Sequence, residues 1–197
     1  MTYLEKLSTI DSFEAVDLIA EALLEIDNET FSSLLKTLSK RSWDEASFKQ
    51  DLGDFGGLEL ILEFLKNDEK QLKKDLFLIF AKTSNPLFSG CKPNKDMLRE
   101  SGITNLAVQL FDCGIDLTTE EKVTLSNFFA NACSGSDRNR EVIATDKLLN
   151  VFLTVSADIN VDINLKLSYV STLTRICTQD DKSGGAPVSI FCRDRIL

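Results

Sequence analysis

Cysteine is the side-chain type in this sequence best suited to nucleophilic chemistry, and its five copies, Cys91, Cys113, Cys133, Cys177 and Cys192, are scattered with no C-x-x-C pair. A thiol is reactive at neutral pH only beside a base or cation that lowers its pKa, and the 197 residues include no histidine. That absence removes Cys-His and Ser-His-Asp machinery and the commonest metal ligand together. Cys133 and Cys177 fall at equivalent interior positions of two predicted helices, where a free thiol acts as a small hydrophobe. The carboxylate pairs Asp68-Glu69, Glu120-Glu121 and Asp180-Asp181 fall in turns or at predicted helix starts, where negative charge favours the exposed N–H groups. Asp54 and the stretch Asp158–Asp162 do not form a calcium-loop pattern. Gly53-Asp54-Phe55-Gly56-Gly57 lies between two predicted helices rather than after a strand, so it reads as a turn and not as a phosphate cradle. The residues therefore predict no catalytic, cofactor-binding or metal-ligating site and no enzyme activity.

Charge narrows the partners. Lys and Arg number 22 against 31 Asp and Glu, a formal net charge of −9, whereas neutralising nucleic-acid phosphates needs a basic face. The balance predicts solubility and a bias toward basic protein partners. The unpatterned cysteines and the lack of a signal peptide point to a reducing compartment, cytoplasmic or nuclear. Charges interrupt every apolar run before it could span a membrane.

The elements that must position any site read as helices throughout. Asp11 and Glu14 stand at N-cap and N3 positions ahead of an apolar stripe of Phe13, Val16, Ile19, Ala20, Leu23 and Leu24. Thr30 is a candidate cap for a helix carrying Phe31, Leu34, Leu35 and Leu38. Ser42 followed by Glu45 has the capping-box spacing, which predicts a third helix with Trp43, Phe48 and Leu52 on its buried side. Gly53, Gly56 and Gly57 then break the chain.

Beyond Gly57 the sequence repeats. Gly57, Gly102 and Lys147 stand 45 residues apart, and each opens an apolar helix. These helices carry Leu58, Ile61, Leu62 and Leu65, then Ile103, Leu106, Val108 and Leu110, then Leu148, Leu149, Phe152 and Val155. Each leads through a polar turn to a longer helix, over Leu72–Thr83, Glu120–Cys133 and Asn164–Cys177. A short amphipathic helix precedes each unit, at Phe48–Leu52, Asp96–Arg99 and Arg140–Ala144. Asn85–Asn94, with two prolines, and Cys113–Thr119 read as linkers. The organisation predicted is a helical cap or partial repeat over 1–55 and three repeats at about 56–100, 101–145 and 146–181. Residues 182–197 read as a loop and the truncated start of a further repeat, as though the chain were the front of a longer array.

A period near 45 falls within the range of HEAT and armadillo repeats. The run Ala130-Asn131-Ala132-Cys133 followed by Asn139-Arg140-Glu141-Val142-Ile143 resembles the end of an armadillo repeat, with Asn139 eight residues after Asn131. Arg99-Glu100-Ser101-Gly102-Ile103 is similar to the join between repeats of that family. The resemblance covers about residues 43–181, strongest in the middle unit, and implies a right-handed all-α solenoid.

In that family the third helices line a concave groove, and an asparagine of each points into it. Carried onto this chain, the position falls on Asn131, with Lys82 and Arg175 as its substituted counterparts and Asn127 and Ser171 one turn earlier. Side-chain amides in such a row can hydrogen-bond an extended peptide backbone, and the two cations can take acidic groups. Phe128 and Phe129 are core by the same spacing. The function implied is a scaffold or adaptor that binds another protein on a curved helical surface and needs no cofactor. The alternative is a regulator of small GTPases, a dissociation stimulator or chaperone, because Asn131-Ala132-Cys133 to Asn139-Arg140 faintly resembles that branch. Nuclear-import cargo binding is disfavoured, since it uses tryptophans along the groove and Trp43 lies outside the repeats.

Overall fold

Asp27 starts the longest helix of the first half of the chain, its carboxylate accepting the Thr30 N–H at 2.7 Å and so satisfying a donor that the helix itself cannot pair. That backbone bond holds the Asp27 carboxyl below its ordinary range. Asp11 does the same for Glu14, and Asp162 accepts the N–H groups of Asn164 and Leu165. Thr118 and Glu121 form a reciprocal capping box. The computed structural model describes residues 3–24, 27–66, 74–112 and 116–178, which form thirteen helices and no strand. The protein is all-α. No described helix is long and apolar enough to cross a membrane.

The chain divides into two compact units, Met1–Ile103 and Thr104–Leu197. The first contains α1 (Tyr3–Leu7), α2 (Ser12–Leu24), α3 (Asn28–Asp44), α4 (Ala46–Asp54), α5 (Gly57–Leu65), α6 (Lys74–Thr83), α7 (Asn85–Phe88) and α8 (Lys92–Glu100). Helices of like rank pack on one another: α5 on α2, α6 on α3 and α8 on α4. The core between them takes Phe31, Leu34, Leu35 and Leu38 from α3, Leu58, Ile61, Leu62 and Leu65 from α5, and Phe77 and Phe80 from α6. Each such side chain contributes about 1.5–3 kcal/mol on leaving water. The Ser39 hydroxyl donates to the Thr83 carbonyl at 2.7 Å, tying α3 to α6 through backbone rather than side chain. Arg41 braces the same helix from the other side. Its guanidinium donates to the Leu7 carbonyl at 3.1 Å and lies 4.0 Å over the Phe48 ring.

Gly56, with φ at 86°, makes the left-handed turn into α5, a conformation that a side chain would strain. Gly57 sits so close to α4 that a Cβ there would stand 2.6 Å from Leu52 Cδ1.

Local signals in the first unit were partly misleading. Ser42 does not open a helix: α3 runs through it to Asp44, its side chain is buried, and Glu45 is the residue between α3 and α4. Trp43 accordingly faces water while Phe48 and Leu52 are buried as expected. Asp27 rather than Thr30 caps α3. In α2 the face that packs is Ala15 and Ile19, so Phe13 and Leu24 are exposed. Gly53 lies inside α4. The proline-bearing stretch Asn85–Asn94 is mostly helical, because Pro86 and Pro93 occupy first-turn positions of α7 and α8, where no N–H is needed.

The second unit contains α9 (Ile103–Asp112), α10 (Thr119–Cys133), α11 (Asp137–Ile143), α12 (Asp146–Ala157) and α13 (Ile163–Cys177). The longest contact runs between α10 and α13, with α12 packed on α13 and α11 on α10. Phe111 is its aromatic hub, with ring centroids 6.0 Å from Phe129, 5.6 Å from Phe152 and 6.1 Å from Tyr169. Phe152 and Tyr169 meet at 4.5 Å. Phe128 and Phe129 are buried, as their spacing predicts.

Burial pushes the Tyr169 phenol up to about 12. The folded state therefore keeps this proton where the unfolded chain, titrating near 10, gives it up. Its contribution to stability is whole below pH 10 and is lost as pH rises from 10 to about 12. In a phenolate absorbance titration of the folded protein, one of the two tyrosines is expected to ionise only near pH 12, and Tyr169→Phe should remove that step.

Candidate partner-binding face

The residues expected on the third-helix row fall in both units. Lys82 is exposed near the end of α6 in the first unit. Asn127 and Asn131 occupy successive turns of α10, and Ser171 and Arg175 successive turns of α13, all in the second unit. Asn127, Ser171 and Arg175 are exposed, and Asn131 is half-buried. The α10–α13 packing brings part of this set together.

Two of these side chains already have internal partners. Asn127 Oδ1 accepts the Ser168 hydroxyl at 3.0 Å, a bond that uses its carbonyl oxygen and not its amide hydrogens. Arg175 reaches the Ser134 hydroxyl at 3.4 Å, bridging the C-terminal ends of α13 and α10. The seam beneath them is a buried run of hydroxyls. Ser126 and Thr172 are 2.7 Å apart at their oxygens, Thr172 also donates to the Ser126 and Ser168 carbonyls, and Ser168 reaches the Val123 carbonyl. The exposed row is thus held rigid from below by polar groups that are themselves paired.

Comparison with protein-family models, curated proteins and solved structures finds no match for this chain. The assignment of these positions therefore rests on their geometry and on the resemblance in sequence.

Asn139, part of the sequence resemblance, has a counterpart in Asn94 that the sequence pattern did not single out, and both asparagines tie helices together. Asn139 is fully buried in α11 and donates through Nδ2 to the Ala132 carbonyl at 3.2 Å, seven residues earlier. Asn94, 45 residues before it in α8, is equally buried and donates to the Leu87 carbonyl, also seven residues earlier, at 2.8 Å. Asn94 Nδ2 also reaches the Lys49 carbonyl on α4 at 2.7 Å. The following cations, Lys95 and Arg140, are buried too, and Arg140 pairs with Asp137 within its own helix. The missing signal was available: Asn94-Lys95-x-x-Leu98 matches Asn139-Arg140-x-x-Ile143 once Lys is read for Arg. These residues serve the joint between helices.

The cysteines within the described residues are unpromising nucleophiles. Cys91 and Cys133 are buried, Cys177 is half-buried, and none of the three is in a disulfide. Cys113 and Cys192 lie outside the described residues, as do Asp68-Glu69, Asp180-Asp181 and the whole of 182–197. Among the described residues no three His, Cys, Asp or Glu side chains gather closely enough to hold a metal ion. An open cleft of about 400 Å³ is lined by Glu5, Ser8, Thr37, Lys40, Asp44 and Glu45, with Arg41 already braced as above.

Proposed function

We propose that this chain is a protein-interaction scaffold, a right-handed α-solenoid of armadillo-like repeats that receives an extended segment of another protein along its third helices. The observation that carries the reading is the polar row Asn127, Asn131, Ser171 and Arg175 displayed on the paired helices α10 and α13. Like-on-like packing in the first unit and the 45-residue recurrence of the Asn94 and Asn139 clamps support the repeat. A partner strand running across the row would meet amide donors at Asn127 and Asn131 and a cation at Arg175. Lys82 is assigned to the same role in the preceding repeat. The cytoplasm or nucleus is the compartment this reading expects, and no catalysis is ascribed to the chain.

The small-GTPase reading draws on the stretch from Asn131 to Arg140. Its most specific letters, Asn139 and Arg140, are buried at a helix joint, so they speak for the fold more than for the partner. The two readings separate experimentally. Partners captured from cells and then purified are titrated against the wild type and against Asn131→Ala/Arg175→Ala. Affinity is expected to fall about tenfold with helicity unchanged, the loss of one or two charge-assisted or amide hydrogen bonds. Unchanged affinity would place the partner elsewhere and sink the groove assignment. Accelerated nucleotide release from a captured GTPase would favour the regulator reading over the passive scaffold.

A further inference from the structure

We infer that Phe13 and Phe55 form a docking site in the first unit for a basic segment of another protein, one that lays an arginine on the paired rings. Phe13 stands in the first turn of α2, and Phe55 follows the last turn of α4. Their rings meet edge to face, 6.0 Å between centroids and 84° between planes, yet Phe13 is 66% and Phe55 50% exposed. The core of the unit does not depend on them, since α2 packs through Ala15 and Ile19 and α4 through Phe48 and Leu52. Two large rings held against each other at the surface are apolar area left over from folding, and such area marks a contact site. The edge-to-face arrangement leaves ring faces for a cation, which the ring quadrupole attracts.

Charge selects the occupant. Asp17, which is exposed, lies one turn on from Phe13 along α2. Asp51 lies one turn before Phe55, whose N–H donates to the Asp51 carbonyl at 2.8 Å. The Asp51 carboxylate accepts the hydroxyl of Ser12, the residue before Phe13, at 3.3 Å. A carboxylate therefore stands on each side of the ring pair. Neither takes part in an ion pair among the described residues. Residues 7–35 and 50–65, which contain α2 and the turn carrying Phe55, include no lysine or arginine. Lys49, just ahead of the second stretch, is committed to the Ser89 carbonyl at 2.9 Å. A guanidinium can stack on a ring and donate from its edge to a carboxylate at the same time, which a compact ammonium cannot do. A second copy of this chain would bring the same carboxylates against themselves, and nucleic acid or an anionic membrane is repelled by the same field. A basic protein segment is the occupant that satisfies both the rings and the charge.

The row on α10 and α13 contributes no residue to this site, so the test is independent of the scaffold reading. The probe is a fluorescently labelled peptide of about six residues that alternates arginine with alanine. It is titrated into the whole chain at about 0.1 M salt, where exposed charges are screened beyond roughly 10 Å. Binding is expected with a Kd on the order of 100 μM, about threefold tighter than with lysine in place of arginine, and absent with glutamate. Phe13→Ala, at an exposed position, should leave helicity intact, weaken the arginine peptide about fivefold and remove its advantage over lysine. Asp17→Asn should weaken both peptides about threefold. Glu29→Gln removes the same charge in the first turn of α3, beyond the far end of α2, whose 13 residues span about 20 Å, and should change neither affinity. No binding of the arginine peptide, an affinity unmoved by Phe13→Ala, or equal losses from Asp17→Asn and Glu29→Gln would overturn the inference. So would a wild-type dimer, seen by sedimentation velocity at about 100 μM, that Phe13→Ala dissociates, because the rings would then belong to a second copy. Should Phe13→Ala disturb folding, the wild type still decides the matter, since equal affinity for the arginine and lysine peptides sinks the stacked arginine.

Discussion

Phe152→Ala is expected to destabilise the second unit by about 3–5 kcal/mol, the usual cost of removing a buried aromatic ring together with the cavity it leaves. Phe152 is wholly buried and meets both Phe111 and Tyr169, so its loss opens the centre of the aromatic cluster rather than its rim. The neighbours come from α9 and α13 as well as α12, which gives the hole walls on three helices that cannot all move inward at once. In a unit of this size each kcal/mol shifts the melting temperature by about 4–8 °C, so a drop of more than about 12 °C is expected in thermal unfolding. Denaturant titration should show a lower midpoint at unchanged slope. A shift below about 4 °C would mean that the cluster is loosely packed and that Phe111 relaxes into the space.

The second large effect lies in the first unit, at Gly53. A methyl group placed there would collide with Asn94 Oδ1 and stand 3.3 Å from Asn94 Cγ. In an open helix, Gly→Ala at an interior position gains up to about 1 kcal/mol in helix propensity. Here Gly53→Ala must instead displace an amide that donates to the Lys49 and Leu87 carbonyls, breaking both bonds inside the protein. The expected cost is about 2–4 kcal/mol. Asn94→Ala alone should cost a similar amount for the same reason. The double variant has no amide left to displace, so Gly53→Ala in the Asn94→Ala background should be neutral or stabilising. A double-mutant cycle in urea measures this, and additive losses would show that the collision is not the cause.

Much of the helical organisation was legible in the letters. The ends of α10 and α13 fall within a residue of their sequence-based bounds, because Thr118, Glu121 and Asp162 supply strong caps next to clear apolar periodicity. The first unit was harder. Ser42 and Glu45 have the capping-box spacing, but in a helix already running from Asp27 the Ser42 side chain is simply buried, and the chain turns only at Glu45. Periodicity alone could not choose between the two faces of α2, since Phe13 and Leu24 are as apolar as the residues that pack. Pro86 and Pro93 looked like loop markers, yet each stands in a first turn, the one helical place where proline is at ease. The candidate row was readable as positions, but not as a network. Nothing in the sequence shows that Asn127 would spend its carbonyl on Ser168 or that Arg175 would bridge to Ser134.

Four of the bonds that tie like helices together share one asymmetry. Ser39 holds the Thr83 carbonyl, Asn94 the Lys49 carbonyl, Ser168 the Val123 carbonyl and Thr172 the Ser126 carbonyl. In each case the acceptor is main chain, which every amino acid carries. In these four bonds it is the donor's side chain, and not the acceptor's, that fixes the pairing. A molecule stitched in this way tolerates heavy drift in its alphabet. Its spacing is remembered by a few short polar donors.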